Sequence, residues 1–236
     1  MVAIIKDFFY FFKSKKSKNE NSKNIYFWLI SGYLLLLTFK SVFGILKIIL
    51  LKNNLITPTT GPGSPGQWIA ETSLYTFALQ VAVLAPLYEE FAFRGIIQKN
   101  KTIVKSSIGI ILFLLSCILT GTKIYELSVN ASIILIIVIS ILLFLSSKTI
   151  ILIQDFIERN TKSIIYLSSV LFALWHHGNF DFSKANTFTI FFTFLPYFVS
   201  GLIFSWISIR KGFFSGLILH FINNILPVIV AFINHK

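Results

Sequence analysis

Residues 87–95 read Leu-Tyr-Glu-Glu-Phe-Ala-Phe-Arg-Gly, two adjacent carboxylates and an arginine directly after the apolar run 75–86. An ionised side chain at the centre of a membrane helix costs about 2.5–3.5 kcal/mol, so three near mid-depth cost about 7–10 kcal/mol unless something offsets it. On a helix Glu90 and Arg94 are four apart and share a face, so they can pair. Glu89 lies about 100° around and is left free. Two further segments carry polar groups in apolar surroundings. His176 ends Phe-Ala-Leu-Trp-His, four residues after Phe172, and His220 with Asn224 is four apart in His-Phe-Ile-Asn-Asn, which also contains Asn223. His177 lies about 100° from His176 on a helix and is read as structural or interfacial.

A carboxylate that can act as base, imidazoles that can share a proton and an amide that can steady an oxyanion are the parts for adding water to a carbonyl. A water-filled cavity would offset the burial cost, because polar groups at membrane depth usually line one. The competing reading is a non-catalytic membrane partner, in which the same side chains form a polar network that locks helices. A small transporter with a proton-carrying carboxylate is a third, and it leaves two histidines and an asparagine without a purpose.

The elements that must position these groups follow from composition. The 236 residues are 55% hydrophobic with 26 Phe, and mean hydropathy is +0.79, outside the soluble globular range. An all-α, polytopic transmembrane bundle follows. Seven apolar segments, 25–50, 69–93, 106–122, 129–147, 163–178, 187–209 and 213–233, each approach the roughly 20 residues that cross a bilayer. The stretch 53–67 is broken by prolines and glycines and reads as an exposed loop. Residues 1–24 alternate aromatics with lysines and read as an amphipathic segment on the membrane surface, leaving 25–236 as a single transmembrane domain.

The +12 formal charge could suggest nucleic acid, but the basic residues fall between apolar runs, fifteen on one side of the expected topology against four on the other. That asymmetry puts the amino terminus in the cytoplasm and makes anionic lipid, not nucleic acid, the electrostatic partner. Lys40 and Lys47 in the first span read as snorkelling or facing protein, Glu71 as interfacial, and His235 carries no weight. The single Cys117 lies in an apolar run and reads as a small core hydrophobe.

At these residues the sequence resembles the CPBP family, the CaaX proteases and bacteriocin-processing membrane endopeptidases also known as Abi proteins. The family pattern is Glu-Glu-x-x-x-Arg, Phe-x-x-x-His and His-x-x-x-Asn, in that order. It is met by Glu89-Glu90…Arg94, Phe172…His176 and His220…Asn224 over roughly residues 70–230. The resemblance implies an intramembrane endopeptidase in which Glu89 and His176 activate a water and His220 with Asn224 stabilises the oxyanion. Glu90 and Arg94 would shape the site or hold the substrate. It further implies a peptide or protein substrate in or beside the membrane: a lipidated CaaX terminus in a prenylating cell, a leader peptide, pheromone precursor or membrane protein in a bacterium, with bacteriocin immunity as another role. A bacterial cell membrane is the expected location. On balance the resemblance favours a metal-independent glutamate protease. If zinc were used, Glu89, His176 and His220 would be its ligands, an oxygen and two nitrogens with an open position.

Two features depart from the pattern. Residues 106–147 hold two apolar segments between the first and second motifs and read as an inserted helical hairpin. The expected depths also differ, with Glu89 near the cytoplasmic end, His220 about 10 Å in and His176 about 20 Å in. Tilt, or a helix beginning near Asp155, would absorb that difference.

Overall fold

The computed structural model describes residues 2–13, 24–59, 69, 72–122, 124 and 128–234, all of whose regular structure is helical. The basic stretch 14–23, part of the Pro/Gly loop, Glu71 and His235 lie outside the described residues. The helices are α1 (Val2–Lys13), α2 (Ile25–Lys52), α3 (Leu74–Leu79), a π turn (Gln80–Leu84), α4 (Ala85–Phe93), α5 (Lys101–Thr120), α6 (Val129–Phe144), α7 (Ser147–Arg159), α8 (Thr161–Trp175), α9 (Thr187–Lys211) and α10 (Phe213–Asn234). Short polar side chains start many of them. Asn24, Asn100, Ser128, Ser146 and Asn186 each accept a backbone N–H from the first turn they cap. Gly121, with φ of 66°, closes α5 in the left-handed conformation.

Among the described residues four helices are long and apolar enough to cross a membrane, α2, α5, α9 and α10, and a fifth span results if α6 and α7, bent by 93°, count as one. The chain is an integral membrane protein, and among the described residues the other apolar segments form shorter or broken helices. The shortening has local causes. Residues 74–93 are interrupted by the π turn, α6 has 16 residues, and α8 has 15 because it starts only at Thr161, after a break at Asn160. The amphipathic α7 fills the stretch before that break, so α8 does not begin near Asp155.

α9 is the central helix, packed against α8, α10 and α2. Their shared core joins Trp28, Leu35 and Leu36 to Ile203, Phe204, Trp206 and Ile207, with Leu219 from α10 and Phe172 from α8. Gly216 lets α10 approach α9, since a Cβ there would overlap the Ser208 hydroxyl. α5 and α6 form a lateral pair on α4 around a second core containing Phe113, Leu114, Cys117, Ala131, Val138 and Ala92. α1 packs on α9, burying Ile4 and Phe8 in the central core. Asp7 fastens it: the Trp206 indole N–H donates to Oδ2 and Arg210 Nη2 to Oδ1, each at 2.9 Å.

Candidate active site

The helix carrying the carboxylates is irregular for a reason visible in its sequence. In the π turn the Ala85 N–H bonds the Gln80 carbonyl, one residue further back than in an α-helix. The next bond of that ladder would run from residue 86 to the Val81 carbonyl, and Pro86 has no N–H to give. Val81 O is instead taken by the side chain of Asn224, whose Nδ2 donates to it at 3.0 Å. At its other end α4 is tied by hydroxyls, with Ser107 of α5 donating to Phe91 O at 2.6 Å and Ser168 of α8 donating to Phe93 O. Carbonyls that a helix terminus leaves open are thus satisfied by two neighbouring helices.

This anchoring places Glu89, Glu90 and Arg94 in the interior, with side-chain exposures of 6%, 0% and 0%. Arg94 Nη1 lies 3.3 Å from Glu90 Oε1, the pairing that their spacing predicts. The same Oε1 accepts from His220 Nδ1 at 2.9 Å. The other ring nitrogen of His220, Nε2, lies 3.6 Å from Glu89 Oε2, an oxygen with no hydrogen-bond partner among the described residues. The Trp175 side chain lies beside the Glu89 carboxyl. Aromatic faces complete the cage. The Arg94 guanidinium sits 4.1 Å from the Phe172 ring centre, and Phe204 stacks on His220 at 4.4 Å and 18°. Gly201 makes room for the guanidinium, because a Cβ there would stand 3.2 Å from Arg94 Nη2 and 3.1 Å from Ser169 Cα.

Phe172 also links the third segment. Its ring is 5.7 Å from His220, and its carbonyl accepts from His176 Nδ1 at 2.9 Å. With the proton on Nδ1, His176 Nε2 keeps its lone pair. The His176 ring lies 4.1 Å from that of Tyr197. His176, His220 and Asn224 all line one cavity of about 1700 Å³, so the second and third motifs, of different expected depth, open onto the same space. Glu89 and Glu90 are buried against the lining residue His220, Glu89 Oε2 at 3.6 Å from Nε2 and Glu90 Oε1 at 2.9 Å from Nδ1. His177 lines the cavity too, among Phe182 and Phe194 and apart from the carboxylate network.

A second polar chain reaches the site from α2. Lys40 Nζ donates to Asn223 Oδ1 at 2.6 Å, and Asn223 Nδ2 donates to Asn224 Oδ1 at 2.9 Å. The Asn224 amide is thereby oriented at both ends, with one N–H on Val81 O and its second N–H uncommitted among the described residues. Sequence reasoning missed this chain and the aromatic partners Trp175, Tyr197 and Phe204. Pro86, five residues after Val81, was the available signal for the open carbonyl. Among the described residues no group of three or more His, Cys, Asp and Glu side chains converges to hold a metal ion. Glu89, His176 and His220 as placed here do not fit a three-ligand zinc centre.

A family model described as type II CAAX prenyl endopeptidase Rce1-like matches residues 71–226, which include all three motifs. No curated protein and no solved structure matches the chain.

Proposed function

The chain belongs to the type II CAAX prenyl endopeptidase Rce1-like family, and from that premise we propose that it hydrolyses a peptide bond of a membrane-associated substrate with a glutamate-type site. A single observation carries the mechanism: the buried series Arg94–Glu90–His220 ends on an Nε2 that faces the unpartnered Oε2 of Glu89. One carboxylate is committed to holding the imidazole, and the other is open to work.

A substrate peptide enters the cavity with its carbonyl near His220 and Asn224. Glu89, with the Nε2 lone pair of His176, takes a proton from water, and the hydroxide oxygen bonds to the carbonyl carbon. The oxyanion is met by His220, which Glu90 orients through Nδ1 and which in its protonated form donates from Nε2, and by the second N–H of Asn224. Collapse breaks the C–N bond, and the proton held by the base passes to the departing amine. Burial among aromatic rings strengthens each of these electrostatic contacts. Substrates that arrive through lipid account for a hydrolytic site inside a membrane protein.

Peptide termini in membranes expressing wild type and Glu89→Gln at matched levels test this reading. Gln is nearly isosteric and still hydrogen-bonds but cannot take the proton, so the rate is expected to fall about 10²–10⁴-fold. Coinciding profiles would make the carboxylates structural and leave a helix-packing role. Because the water is activated without a metal in this scheme, a strong chelator should leave the wild-type rate unchanged. Chelator-sensitive activity with stoichiometric zinc would overturn that part.

A further inference from the structure

Where α5 begins and α6 turns into α7, another pocket of about 290 Å³ lies apart from the candidate active site. One wall is α5, which contributes Lys101, Thr102, Lys105 and Ser106, with Lys105 half-buried. Residues four apart share a helix face with Cβ atoms about 5–6 Å apart, so Lys101 and Lys105 can close on one anion. The opposite wall is Leu142 of α6 and Ile150 of α7, with Ser147 at the start of α7. Among the described residues the lysine paired with a carboxylate at this end is Lys99, 3.6 Å from Glu158, which leaves Lys101 and Lys105 without a counter-charge. The described lining likewise holds no carboxylate and no aromatic ring. α5 is long and apolar enough to cross a membrane, and both lysines stand within about 6 Å of its end along the axis.

We propose that this pocket holds one anionic phospholipid, with Lys101 and Lys105 on its phosphodiester and an acyl chain against Leu142 and Ile150. The inference stands apart from the proteolytic reading. Lysines at the end of a membrane helix lie at the depth of lipid phosphates, where each ammonium makes charge-assisted hydrogen bonds. The hydroxyls of Thr102, Ser106 and Ser147 supply further donors around the same space. α7, bent by 93° from α6 and exposing Leu152 and Phe156, lies along the bilayer surface as amphipathic interfacial helices do. The lining also selects among headgroups. A choline or ethanolamine cation would face two ammonium groups with no carboxylate or ring to hold it, whereas a glycerol headgroup leaves the phosphate charge unopposed. The pocket is joined to the carboxylate helix, because Ser106 is followed by Ser107, whose hydroxyl donates to Phe91 O of α4. A lipid seated here braces α5 where α5 holds α4.

The test uses the full-length chain, delipidated in dodecyl maltoside, and a fluorescent phosphatidylglycerol displaced by unlabelled competitors. Unlabelled phosphatidylglycerol is expected to displace it, and phosphatidylcholine at the same mole fraction about tenfold less well. Loss of one lysine at an anionic headgroup lowers affinity about fivefold, so Lys101→Gln with Lys105→Gln should lower it about 25-fold. Arginine at both positions should retain binding. Lys99→Gln with Lys148→Gln removes the same charge from outside the pocket and should leave affinity within about twofold. Thr102→Trp fills the pocket without altering charge and should weaken binding by excluding the headgroup. If the outer pair costs as much as the pocket pair, or if Thr102→Trp binds as wild type does, the attraction is diffuse and the site falls. Equal displacement by phosphatidylcholine would overturn the selection for an anionic lipid. Displacement by inorganic phosphate at the lipid's own concentration would make this a free-anion site and overturn the lipid assignment. These are binding measurements, so a chain that cleaves no peptide still decides the proposal.

Discussion

Arg94 shows how a single side chain can be held by unlike forces. Its charge is matched by Glu90 at 3.3 Å, and its planar faces meet Phe172 at 4.1 Å and Phe204 at 5.5 Å. A lysine would keep the charge but lose the plane that the rings contact. Arg94→Lys is therefore expected to lower stability by about 1–3 kcal/mol and to loosen His220, because Glu90 Oε1 serves both partners. Thermal unfolding in detergent measures the first effect and the residual cleavage rate the second. An unchanged melting temperature would show the ring contacts to be incidental.

At the level of the element, the π turn couples the first and third motifs. The Val81 carbonyl is open because Ala85 bonds one residue further back and Pro86 cannot donate, and Asn224 closes it. Pro86→Ala supplies the missing N–H and lets a backbone bond compete with Asn224 for the carbonyl. The expected outcome is a folded protein with impaired catalysis, about tenfold lower kcat with little change in KM, as for loss of an oriented donor. A variant with full kcat would show that Asn224 needs no latch on Val81. The same reasoning explains why α4 ends where it does, since Ser107 and Ser168 satisfy carbonyls of its last turn from outside.

For the whole molecule, the amino-terminal helix is attached through a small set of named contacts. α1 presents Phe9 and Tyr10 outward and buries Ile4 and Phe8, and its one carboxylate joins Trp206 and Arg210. Breaking a buried ion pair by neutralising one partner costs about 3–5 kcal/mol. Asp7→Asn should approach the lower end of that range, because Asn still accepts from the indole. The expected result is faster proteolysis within the amino-terminal segment at unchanged membrane level. Equal proteolysis of the two proteins would place the anchoring in Ile4 and Phe8 alone. Outward apolar residues on α2 and α6, such as Ile45, Ile48, Ile136 and Ile137, remain for the lipid.

Local periodicity and composition were enough to establish a helical membrane protein, and an i,i+4 spacing was enough to pair Glu90 with Arg94, because those relations act along one stretch of chain. Motif order placed Glu89, His176, His220 and Asn224 on one list. Their grouping depended on tertiary structure: Phe172 standing between Arg94 and His220, and the ends of α8 and α10 opening onto one cavity. Lys40 reads in sequence as snorkelling or facing protein, and only the fold brings it to Asn223, 183 positions away. Hydropathy likewise registers apolar length and not the π turn or the break at Asn160, which divide stretches that the sequence reads as continuous. Hydropathy and spacing are properties of neighbours in the chain, whereas a polar group inside a bilayer is satisfied by partners that the chain must fold to reach.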